Sequence, residues 1–168
     1  MSANQSRLML HFIIFCSSLL ILTNISAHPL ESCSHTFSHK DYSAALKQCT
    51  SESKHNPAAN FFLGQLYEKG LSVKRNTNKA MSYYRTAVLN NNVDAQIALA
   101  QLQTRNKHLL QGHIFFSLAV DNGSLQAFIL KDKIASHLSA QDLLLSKGFV
   151  AVVKNAIIEN KKTVALNY

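Results

Sequence analysis

This chain has no tryptophan, two prolines, five glycines and three cysteines, and its nine acidic residues are outnumbered by seventeen lysines and arginines. Each shortage closes off a class of chemistry. No two carboxylates fall on one helical face, so the positioned acid and base of many hydrolases is missing. No G-x-S-x-G elbow, Gly-rich phosphate loop or H-E-x-x-H stretch occurs. Cys49 beside a histidine is the one nucleophilic pairing available, and many small proteins contain both residues by chance. No C-x2-C pair stands in a zinc framework. The basic residues are scattered apart from Lys69 to Arg75 and Lys154 to Lys162, and no aromatics interleave with them as in a nucleic-acid surface. These absences lead us to expect a non-catalytic chain with no cofactor, no metal site and no nucleic-acid partner.

What is present is an internal repeat. A shift of 36 residues lays Ala59 on Ala95, Leu63 on Leu99, Gln65 on Gln101 and Leu66 on Leu102, with Gly64 on the small Ala100. A shift of 32 then lays Ala80 on Gly112, Tyr83 and Tyr84 on Phe115 and Phe116, Ala87 on Ala119 and Ala95 on Ala127. The second unit is therefore four residues shorter, the loss falling between Leu102 and Gly112. Periods of this size mark stacked helical units that cannot bury their apolar faces alone. Ala59, Leu63, Leu66 and Tyr67 form one apolar stripe at helical spacing. Gly64 within it is roughly 1 kcal/mol worse than alanine by propensity, so a small residue there implies a close neighbouring helix. Asn56-Pro57 starts that helix and Gly70 ends it. Ala80, Tyr83, Tyr84 and Ala87 form the inner face of its partner, which Asn90-Asn91-Asn92 stops because asparagine tolerates the left-handed conformation. Gly123 takes that place one unit on.

The pattern Ala59-x3-Leu63-Gly64-x2-Tyr67-x2-Gly70-x2-Val73, followed by Lys79-Ala80-x2-Tyr83-Tyr84-x2-Ala87 and Ala95, resembles a Sel1-like repeat. That family is related to tetratricopeptide repeats. The second unit is degenerate, with Phe115-Phe116-x2-Ala119-x3-Gly123 in place of the usual signature, and Ser72 stands where a glycine is usual. The stretch from Lys131 to Gln141 resembles the closing segment of bacterial members. The resemblance runs from about Asp41 to Lys154 and implies an all-α fold: a short right-handed α-solenoid of helix pairs with a C-terminal capping helix. It also implies a bacterial exported protein that binds protein or peptide along a concave face. Carried onto this chain, that face holds Phe61, Gln65, Glu68 and Lys69 in the first unit and Ile97, Gln101, Thr104 and Arg105 in the second. The competing assignment is that Phe61 and Ile97 pack against a neighbouring unit.

Arg7 and the apolar run Leu8 to Leu22 read as a signal peptide over residues 1–27, cleaved after Ala27. The rival is an uncleaved inner-membrane anchor. Cleavage makes the chain periplasmic or secreted with no membrane segment, and an uncleaved signal anchors it in the inner membrane. Removal of Arg7 leaves the net charge near +7 from +8, which would favour an acidic partner, anionic lipid or envelope polymer at long range, but the basic residues are scattered and a basic exported protein needs no acidic partner. Residues 28–39 form an N-terminal segment, 40–160 the solenoid and 161–168 a loose tail. Cys33 and Cys49 suggest one disulfide in an oxidising compartment, the alternative being free or intermolecular thiols. His28, Cys33, His35, His39 and Cys49 also raise a zinc- or copper-binding alternative, and a self-assembling envelope protein is a third. Seven helices are expected, at about 40–53, 57–69, 77–89, 93–104, 109–121, 124–137 and 140–160. The leucines near the start of the last are a candidate dimer surface.

Overall fold

The computed structural model describes residues 32–166, and every regular element among them is an α-helix. In chain order these are α1 (Cys33–Ser38), α2 (Tyr42–Glu52), α3 (Pro57–Lys69), α4 (Thr77–Leu89), α5 (Val93–Arg105), α6 (Leu109–Asp121), α7 (Leu125–Ala135) and α8 (Ala140–Leu166). Consecutive helices pack on one another as far as α7, giving an all-α, repeat-like stack. α8 turns back and lies against α6 and α4.

Short polar side chains set the helix starts. Asn56, Asn76 and Asn92 each accept a backbone N–H from the first turn, at 3.1, 2.9 and 2.8 Å. Pro57 follows Asn56 at the first helical position, and Gly70 closes α3 at φ 72°. Ser139 and Asp142 cap α8 reciprocally, with the Ser139 hydroxyl 3.1 Å from the Asp142 N–H. A three-residue turn recurs four times, each with a left-handed middle residue: Lys40, Asn91, Lys107 and Gly123, at φ 63°, 59°, 65° and 87°. Ser72, at φ 56°, occupies the left-handed position where the resemblance has glycine.

The core runs through the stack in three clusters. Cys33, Ala45, Cys49, Ala59, Leu63 and Leu66 hold the N-terminal end. Ala80, Tyr84, Ala87, Ala95, Leu99 and Leu102 join the two units. Ala100, Phe116, Ala119, Ala127 and Ile134 join α5, α6 and α7. Gly64 lets Tyr84 of α4 lie directly on α3, since a Cβ there would lie 2.4 Å from the Tyr84 ring. We expect Gly64→Ala to destabilise the chain by about 1–3 kcal/mol of overpacking, against roughly 1 kcal/mol regained in helix propensity. Chemical denaturation measures the balance, and a gain in stability would contradict this packing.

Residues 28–39 are not wholly irregular, because α1 lies within them. Six residues are too few to form a helix unaided. A disulfide joins Cys33 to Cys49 on α2, with Cα atoms 4.7 Å apart. Glu52 accepts the Cys33 N–H at 3.0 Å, as well as the side-chain amides of Gln48 and Asn56. Burial raises the Glu52 carboxyl pKa, but these three donors outweigh it and hold the pKa below its ordinary value. Phe37 then packs on Tyr42 and Phe62.

The helical part of the C-terminal end is also longer than expected. α8 continues through residues 161–166, with a Lys162–Glu159 ion pair and the Thr163 hydroxyl on the Glu159 carbonyl. Its inward stripe is Ser146, Val150, Val153 and Ile157, while Leu144, Leu145, Phe149 and Val152 are exposed. The buried Ser146 hydroxyl lies 2.7 Å from His113 Nδ1 and ties α8 to α6. Burial, and then the charge of Lys131, lowers the His113 pKa. Asn160 donates to the Leu89 carbonyl at 3.1 Å and fixes α8 to the end of α4.

Candidate functional site

The eight positions assigned to the concave face divide into two groups. Phe61 and Ile97 are half-buried and serve the stack. Phe61 packs on the cluster that contains Tyr84 and Leu99, its ring 6.0 Å from that of Tyr84. Ile97 packs on the cluster of Phe116 and Ala127. Gln65 is half-buried on α3, and Lys69 is exposed in its last turn, where a cation offsets the helix dipole. Glu68 bridges the two units. Its carboxylate accepts the Tyr84 hydroxyl at 2.6 Å and forms an ion pair with Arg105 on α5. Burial, and then the hydrogen bond and charge of Glu68, raises the Tyr84 pKa far above its ordinary value.

Gln101, Thr104 and Arg105 meet at a cleft of about 450 Å³ between α5, α6 and α7. Its walls are Leu109, Phe116, Leu130 and Ile134. Lys107, Lys133 and His137 complete its rim with Arg105. Apolar walls with a few convergent polar groups, in a volume of this order, are the usual form of a ligand pocket.

The residues that the sequence reading missed follow the same register. A shift of 32 carries Gln101 onto Lys133, Leu102 onto Ile134 and Arg105 onto His137. α7 is thus the first helix of a third unit. Its register was masked because Lys131 stands where Leu63 and Leu99 stand in the earlier units. Ala127, fully buried like Ala59 and Ala95, kept the signal. The cleft is therefore lined by corresponding positions of two successive first helices.

No grouping of three or more His, Cys, Asp or Glu side chains able to hold a metal occurs among the described residues. Both sulfurs of the metal-binding alternative are joined in the disulfide. The His35 and His39 rings are 4.3 Å apart on the outside of α1, and His28 lies outside the described residues. The signal peptide assigned to residues 1–27 also lies outside them. No helix among the described residues is long and apolar enough to cross a membrane. Comparison with protein-family models, characterised proteins and solved structures finds no match to this chain.

Proposed function

We propose that this chain is a non-catalytic adaptor of the Sel1-like kind, exported to the periplasm or beyond, that binds a protein or peptide along the concave side of its first helices. The observation that carries this reading is the cleft itself. It opens where equivalent positions of two repeat units, Gln101 and Arg105 on α5 and Lys133 and His137 on α7, converge over apolar walls. Stacked helical units present their binding surface as such a series, and insertions or substitutions within it change the partner without changing the stack. The Cys33–Cys49 disulfide suits an oxidising compartment, as an exported chain requires.

The test separates binding from folding. Gln65→Ala with Gln101→Ala removes two half-buried amides from this face. The double variant should lose at least ~10-fold in affinity for the native partner, the scale of one to two lost hydrogen bonds, at an unchanged thermal midpoint. Parallel loss of affinity and stability would make these residues part of the fold and remove them from the site.

A further inference from the structure

The junctions between successive units use corresponding residues, and they differ in one chemical respect. At the first, Glu68 sits between the units, held by the Tyr84 hydroxyl and Arg105. At the second, Thr104 takes the register of Glu68, Phe116 that of Tyr84 and His137 that of Arg105. The carboxylate and the phenol are lost together. The Thr104 hydroxyl turns back onto the Ala100 carbonyl at 2.8 Å. The rim carries Lys107 and Lys133 beside His137. None of these three forms an ion pair among the described residues, and no carboxylate lines the cleft.

We propose, building on the peptide-binding reading above, that this cleft takes a peptide carrying a carboxylate beside a bulky apolar side chain. The apolar side chain packs against Leu109, Phe116, Leu130 and Ile134. The carboxylate occupies the place that Glu68 fills at the first junction, facing Lys107, Lys133 and His137. Without a ligand Lys107 and Lys133 stand at this rim with no carboxylate partner, and a ligand carboxylate supplies one.

Helix-dipole compensation accounts for Arg105 and Lys133, which stand in the last turns of α5 and α7. It does not account for Lys107. That residue lies past the end of α5 at the lip of the cleft, in a left-handed conformation that Lys40 also adopts in the turn between α1 and α2. Nor does it explain why the glutamate and the tyrosine disappear as a pair. The start of α6 adds to the positive field. His108 makes no capping bond and pairs instead with Gln103 at 3.0 Å.

The test is fluorescence anisotropy on the purified full chain, with short C-terminally amidated peptides that carry a neutral dye and differ at one position: Leu-Glu, Leu-Gln or Leu-Lys. We expect Leu-Glu to bind at least ~10-fold more tightly than the other two, as a charge-assisted bond requires, and more weakly as salt rises. Lys133→Glu should abolish the preference. Thr104→Glu should block binding by supplying the carboxylate from within, without lowering the thermal midpoint. Equal affinity for Leu-Glu and Leu-Gln, still dependent on Gln101, would overturn the carboxylate claim and leave the peptide-binding reading standing. Binding of none of the peptides would overturn the proposal, and saturation by dodecanoate in that case would point to a lipid ligand instead.

Discussion

Replacing Tyr84 with alanine should lower stability by about 3–5 kcal/mol, the largest effect expected of any single substitution in this chain. Tyr84 is fully buried and is the largest such side chain among the described residues. Its ring fills the space that the missing Gly64 Cβ leaves and packs on Phe61. Its hydroxyl neutralises part of the demand of Glu68, which is only 15% exposed. Truncation leaves a cavity between α3 and α4 and removes one of the two groups that hold the carboxylate. Thermal unfolding should show a midpoint lower by roughly 10–20 °C for a domain of this size. Tyr84→Phe isolates the hydroxyl, and its cost should be near 1.5–3 kcal/mol, the range for hydrogen bonds to charged groups. Gly64→Ala should be milder in the Tyr84→Ala background, because the ring it collides with is gone. A Tyr84→Ala midpoint within about 2 °C of the native one would mean that the junction does not depend on this ring.

Removing the disulfide ranks second. Cys33 and Cys49 are 16 residues apart, and the chain-entropy model assigns such a loop about 3 kcal/mol. The loss should be local in character. α1 packs chiefly on α2 and α3, whereas α5 to α8 draw most of their packing from one another and from α4. In Cys33→Ala/Cys49→Ala, hydrogen exchange should accelerate across α1 and the start of α2 well before it does in α6. Uniform acceleration along the chain would instead mean that the stack unfolds as one unit with the bridge as a common restraint.

How much of this was legible in the sequence depends on how plainly each stretch is punctuated. α3 and α4 were readable because Asn56-Pro57, Gly70 and Asn76 mark their ends and Ala59, Leu63, Leu66 and Tyr84 mark their buried faces. The left-handed turns at Asn91 and Gly123 were readable for the same reason, since few residues suit that conformation. α1 was not, because its stability comes from partners that are distant in sequence, the Cys49 sulfur and the Glu52 carboxylate. The continuation of α8 beyond residue 160 carries no periodic signal, residues 161–165 being exposed without exception.

The proposed binding face was half legible. Periodicity placed Gln101, Thr104 and Arg105 on one side of α5, and the structure brings them to the cleft. It placed Phe61 and Ile97 on that side too, where they pack within the stack, because helical spacing says which residues share a face but not which neighbour covers it. The third unit went unseen because its marker leucine is Lys131. Lys133 and His137 become recognisable only when the shift of 32 residues is carried past Ala127.

The most direct measurement is site-specific photo-crosslinking in the native cells. A photoreactive residue replaces Gln101 inside the cleft in one strain and the exposed Ser82 on α4 in another. An adaptor that binds through its first helices predicts one dominant crosslinked protein from position 101, absent from position 82 and lost when Lys133→Glu is added. The same species from both positions, or none from position 101, would contradict a binding face at this cleft.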